Sequence, residues 1–94
     1  MAAATITNTS YGFNVKTGTD ATTVTSDKTR VKRIEVMGTA GSETVLVTDV
    51  AGNGIIKAVA VADKSEVFDL GCANIDGLVV TLSASTVRAN IFIE

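Results

Sequence analysis

Three cations recur at alternate positions, Lys28, Arg30 and Lys32. In an extended chain alternate residues project to one side, so this spacing aims three positive charges the same way, while Arg33, beside Val31, points to the other face. Such a row can grip an acidic protein surface or phosphates, and its plainer role is a solvated face or a guard on an edge strand. No aromatic residue interleaves with it, so the stacking platform that a single-stranded nucleic acid needs is missing. Asp49, Asn53 and Asp63 offer oxygen ligands of the kind Ca²⁺ takes, but their spacing lacks the regular alternation and closing Glu of an EF-hand. Turn chemistry accounts for the same residues, because Asp, Asn and Gly tolerate positive φ and bond their own backbone. Asp69 and Asp76 form a carboxylate pair of the type glycoside hydrolysis uses, yet ten acidic residues in this chain generate such pairs by chance. Cys72 has neither a base nor a second thiol near it in sequence and reads as a small buried apolar residue. The chain contains no His, which removes Ser-His-Asp and Cys-His nucleophiles and His-bearing zinc sites from within it. The expectation is a protein that is not an enzyme and holds no cofactor or metal.

The elements that must position these residues are strands. Thr and Val are abundant and aromatic residues make up 4% of the chain, a bias that suits a pleated surface. Tyr11, Phe13 and Val15 alternate, predicting a strand with one aromatic face. Ala21 to Ser26 is a weak strand or a loop, and Val31 to Met37 a strand turned at Gly38-Thr39-Ala40-Gly41 into Glu43 to Thr48. Asp49 to Gly54 predicts a tight hairpin into Ile55 to Val61. Ala62-Asp63-Lys64 is a turn, Glu66 to Leu70 a short strand, and Gly71 to Gly77 a loop. Leu78 to Leu82 and Val87 to Ile93 form the last hairpin. Seven or eight short strands at this spacing predict an all-β fold, a single small antiparallel β-sandwich or jelly-roll-like barrel. The domain runs over 11–94; residues 1–10 form an N-terminal arm that is either frayed or, through Thr5, Ile6 and Thr7, added as a strand to a neighbouring subunit.

Length and composition bound what this domain can do. Ninety-four residues fit one domain, and area scaling buries about 64% of the unfolded surface. Counted at about 25 cal/mol per Å², the apolar part contributes about 135 kcal/mol against about 140 kcal/mol of ordering entropy. With one Cys the chain has no internal disulfide to add. A marginal monomer with a mean hydropathy of +0.35 and 46% hydrophobic residues is expected to bury apolar surface between subunits, as a homo-oligomer. The net charge of −2 lacks the positive field of a nucleic-acid binder. The longest apolar runs are far short of a membrane span, and the N-terminus lacks the pattern of a secretory signal.

From Lys32 onward, about two-thirds of the chain, the sequence resembles small β-sandwich virion proteins of tailed bacteriophages, especially the decoration or cement proteins on capsid exteriors. The stretches that carry the resemblance are Arg33-Ile34-Glu35-Val36-Met37-Gly38, then Glu43-Thr44-Val45-Leu46-Val47-Thr48-Asp49 closing on Gly52. Gly77-Leu78-Val79-Val80-Thr81-Leu82, before Val87 to Ile93, completes them. The resemblance implies a non-enzymatic protein, made in a host cytoplasm, that binds major capsid protein at capsomer junctions, often as a trimer. Lys28, Arg30 and Lys32 are then the expected contacts to an acidic partner. A tail, adaptor or fibre module of the same virion would share the fold. A carbohydrate-binding module is the third reading, set back because Tyr11, Phe13, Phe68 and Phe92 are mostly expected in the core.

Overall fold

The computed structural model describes residues 2–39, 43–60 and 63–94. Seven strands form: β1 (Thr5–Asn8), β2 (Gly12–Lys16), β3 (Thr22–Gly38), β4 (Thr44–Thr48), β5 (Gly54–Val59), β6 (Lys64–Leu82) and β7 (Arg88–Ile93). They pair antiparallel in one sheet of order β1-β2-β7-β3-β6-β4-β5, and no helix occurs among the described residues. The all-β expectation holds. Met1, the expected turn residues Ala40, Gly41 and Ala62, and Val61 at the end of the expected fifth run lie outside the described residues.

Two strands depart from the expected pattern of short runs. β3 has 17 residues and β6 has 19, against the usual five or six or so. Of the expected runs Ala21 to Ser26 and Val31 to Met37, all but Ala21 belong to one strand, and Glu66 to Leu70, the expected loop Gly71 to Gly77, and Leu78 to Leu82 to another. Gly, Asp and Asn in 71–77 signal a turn locally, but β3 lies alongside and offers a continuous ladder. The mismatch is absorbed where Val31 faces Ala73 and Arg33 faces Asp69: two steps on β3 oppose four on β6. Gly71 and Cys72 take φ of 61° and 59° there, a bulge that bends the strand. Gly71 N donates to Asp69 Oδ1 at 2.8 Å and ties the bulge.

That bend lets each long strand serve two parts of the sheet. The C-terminal part of β3 pairs with β7, which continues to β2 and β1, while the C-terminal part of β6 pairs with β4, which continues to β5. Both parts turn their inner faces onto one core. Val15, Ile34, Val36, Ala89 and Ile91 come from the first, and Val45, Val47, Leu78, Val80 and Leu82 from the second, all essentially buried. Across the β3 register shift the inward positions change from Val31 to Ile34 and Val36, so residues of odd and even number line the same core.

The N-terminal segment belongs to the fold of its own chain. Thr5 to Asn8 pair with Lys16 to Phe13 on β2, Ala3 bridges Asp20 in parallel, and Ala4 N donates to Thr22 Oγ1 at 2.9 Å. Ala4 is buried and Ile6 packs against the core, which anchors this uncharged segment without a neighbour. The β1–β2 reversal depends on Gly12, whose φ is +152° and where a Cβ would overlap the Ile91 carbonyl oxygen.

Candidate interaction surface

The cationic row is real, but it is answered from within the chain. Lys28 Nζ lies 3.6 Å from Asp76 Oδ1, the residue facing it on β6. Arg30 Nη2 lies 3.6 Å from Glu94 Oε2, and Glu94 N donates to the Arg30 carbonyl at 3.1 Å. Lys32 sits at the bulge, where its charge and that of Arg30 act on Glu94 and Cys72. These pairs are exposed and weak, yet they answer two of the three charges the row could present.

Arg33 is the correction. The register shift between Val31 and Arg33 turns Arg33 to the outer face instead of placing it beside Val31. Its guanidinium carbon lies 4.4 Å from the centroid of the Phe92 ring. Tyr11 stacks on the same ring at 4.5 Å between centroids and 23° between planes. Phe92 faces Arg33 on β3 and Gly12 on β2, so its ring takes Arg33 from one neighbouring strand and Tyr11, just ahead of Gly12, from the other. Tyr11 therefore leaves the face expected for it with Phe13 and Val15. Phe13 packs against the core, whereas the Tyr11 hydroxyl donates to Asn90 Oδ1 at 3.1 Å.

Asn90 organises the rest of this face. Its Oδ1 also accepts from Asn14 Nδ2 at 2.7 Å, and its Nδ2 donates to Glu35 Oε1 at 3.2 Å. The register aligns Thr7, Asn14, Asn90, Glu35 and Val67 in one row across five strands, and facing residues share a side of the sheet. Thr5 and Thr7 thus extend the face of Arg33, whereas Lys28 and Arg30 lie beyond the bulge. Ile6 points into the core and is available to a partner only through its backbone. Beside Tyr11 a shallow depression of about 460 Å³ opens between the β1–β2 turn and Glu94.

The remaining chemical candidates are used structurally. Asp49 Oδ1 accepts from Ala51 N at 3.0 Å and Asn53 N at 2.8 Å, and Oδ2 accepts from Asn53 Nδ2 at 3.0 Å. These bonds hold the Asp49 carboxyl below its ordinary pKa, the Asn53 side chain contributing most. Asp63 is elsewhere, its N donating to the Gly38 carbonyl. Asp69 and Asp76 are on opposite sides of the β6 bulge, facing Arg33 and Lys28, so they do not converge on a cleft. Cys72 is half-buried at the surface, not in the core as expected, because the bulge lifts it out. The thiol bonds the Glu94 carboxylate, and this contact first, with burial second, raises its pKa.

Arg33, Tyr11, Phe92, Asn90 and Glu35 escaped the sequence reading. The available signal was the alternation of Arg33 and Glu35 with Ile34 and Val36, and of Asn90 and Phe92 with Ala89 and Ile91. Comparison with known proteins finds no family model, no curated protein and no solved structure that matches the chain.

Proposed function

We propose that this chain is a non-catalytic structural protein of a phage virion, bound to the capsid exterior, where it bridges subunits of the major capsid protein and reinforces the shell. The observation that carries the docking part of this reading is the Arg33–Phe92–Tyr11 stack on an outer sheet face. Arg and Tyr dominate the energetics of protein interfaces because they bring large area and directed bonds at low entropic cost. Here the guanidinium is already held over the Phe92 ring, so its donor fork is preorganised for a partner carboxylate. Thr5, Thr7 and Asn14 supply a polar flank, with the buried Asn90 holding Tyr11, Asn14 and Glu35 in place beneath it, and Lys28, Arg30 and Lys32 contribute to steering. The sequence resemblance supports the virion setting, and the apolar excess supports a homo-oligomer.

The test compares heat or osmotic-shock survival of particles with the protein, without it, and with variants. Wild type should protect, and Arg33→Lys, which keeps the charge but loses the planar fork, should bind about tenfold more weakly. Replacing Lys28, Arg30 and Lys32 with Ser should weaken binding at low salt more than at high salt. Equal survival with and without the protein overturns the reinforcing role; a few copies per particle would then assign a tail, adaptor or fibre module.

A further inference from the structure

We propose that the outer edge of β5 is where two copies of this chain join, β5 against β5 antiparallel about a two-fold axis at Ala58, so that one sheet runs on into the other. This deepens the oligomeric part of the reading above by naming its contact. The phase of the β4–β5 ladder is fixed by the Ala60 N–H donating to the Glu43 carbonyl at 2.7 Å. Counting back through the facing pairs Thr44 and Val59, Val45 and Ala58, Leu46 and Lys57, and Val47 and Ile56, the bonds alternate. The backbone groups of Ile56 and Ala58 face β4, and those of Lys57 and Val59 point out of the sheet. Thr44 supports this phase from the other side, since its carbonyl accepts from Ser83 N at 2.9 Å, away from β5.

β5 carries little of what keeps sheet edges apart. The chain has no Pro, and Lys57 is the single charge on the strand. Val59 is 57% exposed and Leu46, diagonal to it on the same face, is 36% exposed. The other edge differs: β1 has four residues, and its one large apolar side chain, Ile6, packs against the core. A two-fold axis at Ala58 sets Lys57 of each copy opposite Val59 of the other. Each such pair exchanges two backbone bonds, and the aliphatic stem of Lys57 covers Val59. An axis at Lys57 would instead oppose two like charges, which disfavours that register. An antiparallel strand needs only its own copy as partner, since a two-fold contact is self-complementary.

Sedimentation velocity of the purified chain from micromolar to near-millimolar concentration tests this without any particle, so its outcome is separable from that of the capsid experiment. Wild type should show a reversible monomer–dimer equilibrium. Lys57→Pro removes an N–H that the fold does not use, and Val59→Lys places a cation opposite Lys57; each should raise the dissociation constant at least about tenfold with circular dichroism unchanged. Should Lys57→Pro fail to fold, Val59→Lys alone decides. A wild-type monomer throughout the range, a trimer, or a dimer that persists in Val59→Lys overturns the proposal.

Discussion

Arg33 and Cys72 differ from their expected surroundings for one reason: each lies at the β3–β6 bulge, where the alternation rule stops applying. Cys72 consequently meets Glu94, whose carboxylate accepts from the thiol while Arg30 and Lys32 stand close by. The anion penalises the thiolate and outweighs the cations, so the thiol pKa rises above 9.0. Since the thiolate is the reacting form, alkylation near pH 8 should be slower than for an unstructured cysteine peptide. Glu94→Gln should speed it, and an unchanged rate in that variant would show that the Glu94 contact does not govern Cys72.

The β4–β5 hairpin is the element whose chemistry was most legible. Asp49, Gly52, Asn53 and Gly54 are turn-forming types, and the Asp49 carboxylate closes the turn by accepting from two backbone N–H groups and one amide. A carboxyl held below its ordinary value of 3.8 stabilises the fold at any pH above that value and loses the contribution as pH falls through the lower, folded-state value. The Ala51 and Asn53 amide resonances should therefore be steady from neutral pH to about pH 5 and shift with an inflection below 3.8. Asp49→Asn should abolish the inflection; a midpoint at or above 3.8 would contradict the observed bonding. The β3–β6 pair was less legible, because its 17 and 19 residues contain Gly, Asp and Asn that read locally as breaks.

At the scale of the molecule, the N-terminal segment is part of the sheet. β1 contributes four facing pairs with β2, and Ala4 and Ile6 cover core residues. Backbone bonds at about 0.5–1.5 kcal/mol each, with the lost burial, make deletion of residues 2–8 cost about 3 kcal/mol or more. For a domain of this size that lowers the melting temperature by about 12 °C or more. An unchanged melting temperature would mean that β1 is dispensable. Deleting the segment thus tests folding before it tests docking, and point changes such as Arg33→Lys are the sharper probe of the outer face.

The sequence by itself determined the strand class, the β4–β5 turn and the absence of His chemistry, because β-branched content, Asp-Gly-Asn turn types and residue inventory are local properties. It also marked Val31 to Met37 and Val87 to Ile93 as strands, since a period of two survives within any unbroken run. Only the tertiary structure decided that the runs on each side of residues 27–30 and of 71–77 are single strands, that Lys28 and Arg30 meet Asp76 and Glu94, and that Tyr11 leaves the core for Phe92. Those outcomes depend on which strand lies alongside. Bulges insert residues that shift the period without altering composition, and a partner distant in sequence supplies the hydrogen bonds that make the shifted conformation stable.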